Sequence, residues 1–196
     1  MFTTALILLT CAATLLILAA FKVKPDSKPL TPTVSTALVK KKIIKIVNVE
    51  PPVHLEIPII KVDAAIYYVG VKPDGTMDMK PDQDRVAWYE FGPRPGEIGS
   101  AVIAGHYGWL GNHGSVFNNL NKLKKGDQIS VIDESGHYIV FIVTSSREYD
   151  PTADTSAIFK SNDGKSHLNL ITCEGVWENN QKTYSNRLVV FSDKKT

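Results

Sequence analysis

The sequence predicts an all-β domain that closes, or nearly closes, into a barrel, carried behind an apolar N-terminal helix long enough to span a membrane. Three observations lead there. Residues 1–21, MFTTALILLTCAATLLILAAF, contain no charged side chain, and about 20 apolar residues suffice to cross a bilayer as a helix. Beyond Pro52 the chain breaks into short runs of β-branched and aromatic residues punctuated by Gly, Pro, Asp and Ser. Helical periodicity is scarce there, and many short strands with little helix are the pattern of a closed β architecture.

The N-terminal run has two readings: an uncleaved anchor, or a signal peptide cut after Ala19-Ala20. The run is longer than a usual signal core and no basic residue precedes it, which favours the anchor. A lipoprotein site at Cys11 is disfavoured, because Leu8-Leu9-Thr10 lacks the small residue such a site needs. Lys22 and Lys24 follow the run, and the bias of basic residues toward the cytoplasm would place the rest of the chain inside. Residues 22–52 change character. KVKPDSKPLTPTVST is rich in Pro, Thr, Ser and Lys and reads as an extended stalk. The following VKKKIIKIVNVEPP is basic and β-prone; it could touch anionic headgroups, but a solvated linker is the simpler reading.

Residues 53–196 read as the barrel. VHLEIPIIKVDAAIYYVG (53–70) is a long β-branched run in which Pro58 marks an edge or a bend. KPDGTM (72–77) is a turn, with Gly75 where a positive φ is needed. GSAVIAGH (99–106) is a short buried strand ending at His106. SVFNNLNKL (115–123) forms one or two helical turns, with Ser115 as N-cap and Val116, Leu120 and Leu123 on one face. GDQISVID and HYIVFIVTSSREY form a hairpin that turns at Ser135-Gly136. HLNLITC and NRLVVFSD supply two more strands, the first broken at Glu174-Gly175.

Charge and cysteine content exclude several function classes. Lys and Arg number 22 against 20 Asp and Glu, a net charge of +2, without the clustered basic and aromatic residues of a nucleic-acid surface. Cys11 lies in the apolar run and Cys173 far downstream, so the two make no disulfide framework. His54, His113, His137 and His167 show no zinc spacing. No metal and no cofactor is expected.

His106 ends one strand, Cys173 another, and Arg187 begins the last. Strand ends gather at a barrel rim, so these three can converge. A thiolate is the nucleophilic form of cysteine and a nearby cation favours it. A histidine can donate a proton to a leaving amine, and an arginine offers fixed donors to an oxyanion. Together they suit covalent acyl transfer through a thioester. Taken singly each has a plainer reading: Cys173 as a small core hydrophobe, His106 as structural, Arg187 as a rim charge.

The three motifs, in this order, resemble the sortases, cysteine transpeptidases of Gram-positive cell surfaces. LNLITC matches the family's TLxTC with Asn169 in place of the usual Thr, AVIAGH matches its histidine motif, and NRLVVF its arginine motif. VAWYEFGPRPGEIGSAVIAGH and VFNNLNKLKKGDQISV also look like the family, and the resemblance covers roughly residues 54 to 193. It implies a sortase β-barrel of about eight strands, Cys173 as nucleophile, His106 as acid and base, and Arg187 as substrate and oxyanion partner. The Thr172 side chain and the Glu174 backbone amide are implied as supports. Sortases cleave a sorting signal such as LPXTG between Thr and Gly and pass the acyl group to an amine. The implied partners are therefore surface proteins with a C-terminal sorting signal, and a peptidoglycan precursor or pilin lysine. The family also implies a single-pass anchor with the catalytic domain outside the cell, against the charge bias of Lys22 and Lys24; only these two lysines lie close, and Lys22 can snorkel.

The compact length and the absence of Asp-Pro-Trp or Asp-Pro-Phe between Phe21 and His54 resemble the single-domain D, E and F classes. A substrate loop is expected within Glu148 to His167, where Glu148, Asp150 and Asp154 read as solvated carboxylates. The rivals are weaker. An L,D-transpeptidase would carry Ser-x-Gly-Cys-x-Arg, whereas Glu174-Gly175 follow Cys173. A papain-like peptidase would place cysteine before histidine. A non-catalytic surface-binding module would leave Cys173 in the core.

Overall fold

Pro58 shapes the first corner of the domain. The strand Pro52–Ile57 (β1) runs into a single 3₁₀ turn, Pro58–Ile60, opened by that proline and closed by Lys61 at φ 58. The chain returns as Val62–Val69 (β2), antiparallel to β1 with Ile57 opposite Val62. The proline therefore marks a bend inside a hairpin, where its missing N–H costs no ladder bond. The computed structural model describes residues 49–110, 113–180 and 183–196. The anchor expected at 1–21 and residues 22–48 of the stalk expected at 22–52 lie outside them, while Val49 already joins the core and Pro52 opens β1; among the described residues no helix is long and apolar enough to cross a membrane.

The remaining strands are Val86–Tyr89 (β3), Gly99–Ala104 (β4), the short pair Trp109–Leu110 (β5) and His113–Gly114 (β6), Gln128–Asp133 (β7), Tyr138–Tyr149 (β8), Ser166–Glu178 (β9) and Thr183–Lys194 (β10). Eight of them close a barrel in the order β1-β2-β3-β4-β9-β10-β8-β7, and β5 pairs with β6 apart from it. The all-β barrel expected from the sequence is thus what forms. Two pairings are parallel, β2 with β3 and β4 with β9; the others are antiparallel.

A small eight-stranded barrel has an interior just wide enough for side chains to fill. Leu55, Ile57, Ile103, Ile129, Phe141, Leu168, Leu170 and Val190 fill it, all essentially without exposure. Val49 joins this core ahead of β1, and its carbonyl accepts from Arg94 Nη1 at 2.7 Å. Strand residues alternate between faces, so β4, β9 and β10 also present an outer face. There Val102, Ile158 and Val189 are buried, with Met77, Tyr89, Ile171, Phe159 and Phe191 against them. Ile158 comes from the 3₁₀ turn Ser156–Ile158, in the segment joining β8 to β9. Buried Asn169, the residue that departs from the family motif, donates from Nδ2 to the Ile158 carbonyl at 2.6 Å and pins that segment to the sheet.

Three local expectations are revised. The turn within 115–123 is 3₁₀, Leu120–Lys122, and Ser115 does not cap it. The Ser115 hydroxyl instead reaches the Gly108 carbonyl at 2.9 Å and the Gln83 side chain. Leu120 and Leu123 are buried as the pattern required, but the anchor is the fully buried Phe117. Its ring lies so close to Gly105 that a Cβ there would stand 2.5 Å from it. β9 and β10 also continue well past the ends their motifs suggested, because Glu174-Gly175 bulges without ending the strand.

Two expected outcomes follow. Gly105→Ala overpacks the Phe117 contact and should cost about 1–3 kcal/mol, read as a melting temperature roughly 3–10 °C lower; an unchanged melting point would mean the ring can move aside. His167 lies between Asp163 (3.0 Å) and Asp193 (2.7 Å). Burial alone would lower its pKa, but the two carboxylates raise it overall. With the folded value above the unfolded one, its stabilisation is complete below about pH 6.5 and is lost as pH rises through the folded value. The melting-temperature gap between wild type and His167→Gln should therefore be full at about pH 5.5 and shrink as pH rises above about 6.5.

Candidate active site

The parallel register of β4 and β9 places two of the expected residues side by side. Ala104 lies opposite Ile171, so His106 and Cys173, each two residues further on, emerge level with one another. Two bonds extend the register past the end of β4. Gly105 N–H donates to the Ile171 carbonyl at 3.0 Å, and the buried Thr172 hydroxyl donates to the Gly105 carbonyl at 2.8 Å. On the other side, β10 sets Arg187 directly opposite Cys173. Alternation puts Cys173 on the outer face, in line with Ile171 and Asn169, while Thr172 faces inward with Leu170.

Only His106 lies past a strand end. Cys173 and Arg187 sit inside their strands, beside a bulge. Glu174 pairs with Asn186 and Trp177 with Tyr184, so Gly175 and Val176 oppose the single residue Ser185. Gly175 takes φ 89, and a Cβ there would strike the Ser185 hydroxyl. Only glycine suits both demands. The Ser185 hydroxyl accepts the Val176 N–H at 3.1 Å.

Each side chain is held from several directions. His106 Nε2 lies 2.7 Å from the Lys80 carbonyl, and the His106 carbonyl accepts from Phe117 N–H at 3.1 Å. Arg187 Nη1 donates to the Tyr184 and Asn186 carbonyls, each at 3.1 Å, and Nη2 to Thr183 Oγ1 at 2.8 Å. These bonds engage three of its five N–H groups. Glu174 Oε1 accepts from Asn121 Nδ2 at 2.9 Å, while Oε2 is buried without a partner among the described residues. Tyr184 stacks edge-on with Tyr107 (5.1 Å) and with Trp177 (5.2 Å), forming an aromatic wall beside the thiol. Burial, then the Tyr107 and Cys173 charges, push the Tyr184 hydroxyl pKa up.

Burial also pushes the Cys173 thiol up, and the Arg187 charge pulls it part of the way back. The β10 register sets the arginine opposite Cys173, where its charge favours the thiolate form. Asp150 and Asp154 serve local turns, Asp150 binding Thr152 and Asp154 accepting from Ser156 N–H, whereas Glu148 on β8 accepts across the strands from Asn186 Nδ2 on β10. Among the described residues no group of three His, Cys, Asp or Glu could hold a metal ion.

A sortase-domain family model matches residues 55–195, nearly the whole barrel. The chain belongs to the sortase family. It is 28% identical over 159 residues to sortase A of Bacillus anthracis, covering 81% of this chain and 65% of that one. The barrel is similar to sortase C2 of pilus island 1 from Group B Streptococcus, with 29% identity, TM-score 0.58, and coverage of 74% and 73% of the two chains. It is also similar to sortase C-1 from Actinomyces oris, with 28% identity, TM-score 0.57 and 76% coverage of each chain.

Sequence reasoning missed the Lys80 carbonyl and the aromatic wall. A main-chain oxygen has no residue type to betray it, although Pro81 beside it marks a fixed backbone. Arg187→Gln removes the one influence that lowers the Cys173 pKa. Iodoacetamide labelling near pH 8 should therefore slow in that variant, with the midpoint of its pH profile moved upward; equal or faster labelling would place the arginine away from the sulfur.

Proposed function

We propose that this sortase-family protein is a cysteine transpeptidase acting on LPXTG-like sorting signals, with Cys173, His106 and Arg187 as its catalytic residues. The observation that carries the reading is the shared register, which makes His106 and Arg187 the flanking neighbours of Cys173 on one outer face. The Cys173 thiolate attacks the threonine carbonyl of the sorting signal. The carbonyl electron pair moves to oxygen, and the Arg187 donors not committed to β10 hold the oxyanion. Collapse breaks the Thr–Gly bond, His106 gives its proton to the departing glycine amine, and a thioester remains. An acceptor amine then attacks the thioester, loses its proton to His106, and expels the Cys173 thiolate. Thr172 contributes by fixing the His106 backbone, and Glu174 by its bond to Asn121 and its place at the bulge.

The acceptor is a peptidoglycan precursor or a pilin lysine, and the donors are surface proteins with a C-terminal sorting signal. Met1–Phe21 anchors the protein in the cell membrane as a single span, residues 22–48 serve as a stalk, and the barrel lies outside the cell. The absence of Asp-Pro-Trp or Asp-Pro-Phe between Phe21 and His54 favours the single-domain D, E or F classes.

Incubating the protein with a panel of sorting peptides and an amine acceptor tests the reading. Cleavage and transfer should appear with one motif and vanish in Cys173→Ala with the fold intact; turnover within a few-fold of wild type in that variant would refute the nucleophile. Because burial raises the thiol pKa, the rate should trace a bell whose optimum lies on the alkaline side of neutral, its limbs belonging to the pair. Arg187→Lys keeps the charge but loses the planar fork. Turnover should fall by a factor of about 100 to 1,000, whereas the same swap at Arg85, Arg94 or Arg147 should be tolerated far better.

A further inference from the structure

The segment between β2 and β3 presents one backbone oxygen to the candidate site. His106 Nε2 lies 2.7 Å from the Lys80 carbonyl. A carbonyl oxygen can only accept, so Nε2 must carry the hydrogen. In the neutral ring Nδ1 is then bare. We propose that this segment positions His106: the carbonyl of Lys80, a residue whose N–H is held by the Tyr67 hydroxyl, fixes the Nε2–H tautomer and leaves Nδ1 as the atom that exchanges protons with Cys173 and the leaving amine. The inference rests on the transpeptidase reading for its kinetic consequence, but not for the tautomer itself.

The backbone of Lys80 is held on both sides of its Cα. Its N–H donates to the Tyr67 hydroxyl at 3.2 Å. Its carbonyl also accepts the Asp82 N–H at 2.8 Å, across Pro81, which restricts both its own φ and the conformation of Lys80. Tyr67 is itself buried on β2, clustered with Val69 and with Ala87 of β3, and Met77 and Met79 pack alongside. The Lys80 ammonium and the Arg85 guanidinium lie 5.2 and 5.3 Å from its ring centre. The far side of the segment is equally tied. Asp82 binds Arg85 Nε at 2.5 Å. The Gln83 carbonyl accepts from Val116 N–H at 2.8 Å, and the Gln83 side chain meets the Ser115 hydroxyl. Residues 115–117 in turn hold the backbone at 106–108. The segment and the histidine loop are therefore one bonded unit, whose only bond to the imidazole is the Lys80 carbonyl among the described residues.

A purely structural role and a positioning role separate in Tyr67→Phe, which removes one oxygen and keeps the ring. The experiment uses the full chain in mild detergent, with isotope-labelled histidine and the His106 signals assigned by their loss in His106→Gln. At alkaline pH the wild-type ring nitrogen and carbon shifts should report the Nε2–H tautomer, and Tyr67→Phe should give a mixture. With a sorting peptide and an amine, Tyr67→Phe should lose on the order of 10-fold in kcat, a fraction of what a correctly aimed acid and base supplies, with KM within about twofold. Pro81→Ala, at an exposed position, should move both readouts the same way should Tyr67→Phe not fold. Tyr68→Phe, at the neighbouring residue of β2, loses a hydroxyl bond to Glu134 beyond β7 and should move neither. An Nδ1–H tautomer in wild type overturns the inference. So does a Tyr67→Phe enzyme with wild-type tautomer and turnover. If the wild type processes no sorting peptide, the transpeptidase reading fails, and the tautomer measurement alone decides this one.

Discussion

The parallel pairing of β4 with β9 is the constraint on which the candidate site depends. A strand slipped by one residue turns every side chain to the other face. Here such a slip would send Cys173 into the barrel and Thr172 out of it. The interior forbids this, because Leu168 and Leu170 fill it together with Ala101 and Ile103. The Thr172 hydroxyl then carries the register beyond the last ladder bond to the Gly105 carbonyl. Together with the Gly105 N–H to the Ile171 carbonyl, that bond sets where His106 begins, so the core that stabilises the fold also aligns the candidate site.

The two faces of β9 divide the labour. The inner face supplies core; the outer face runs from Asn169 through Ile171 to Cys173, beneath a segment that Ile158 plugs into the sheet. The bulge at Gly175 and Val176 lies immediately beyond the thiol. It lets β9 and β10 continue as an aromatic wall while Arg187 stays level with Cys173. Arg187 has two loyalties, since two of its bonds go to β10 carbonyls and a third to the Thr183 hydroxyl on the same strand. A cation committed to the main chain in this way is held in direction, which a free surface arginine is not.

Much of this was legible in the sequence. The β-branched runs and the scarcity of helix indicated a barrel, and alternation in LNLITC already separated Leu168, Leu170 and Thr172 from Asn169, Ile171 and Cys173. The family motifs named His106, Cys173 and Arg187. What escaped has common physical causes. The bulge read as a strand end, because glycine after a polar residue signals a break and pairing across it depends on a partner strand far along the chain. Ser115 read as a helix cap because local propensity carries no knowledge of Gln83. Asn169 read as a simple exchange on one face of a strand, whereas its amide reaches the Ile158 carbonyl across the sheet. The Lys80 oxygen escaped because a main-chain group recruited by tertiary structure has no signature of its own.

The position of β10 has a further consequence, for the birth of the protein. A chain is synthesised and folds from its N-terminus, and β10, the last of the described strands, closes the barrel between β9 and β8. Until it arrives, β8 and β9 have open edges, and Arg187 has not reached its place opposite the sulfur. The long-range β4–β9 pairing adds delay, since non-local contacts form slowly. A nascent chain therefore presents a cysteine without its cation, in a barrel without closure. The thiol gains the cation opposite it only when β10 has been made and docks between β9 and β8.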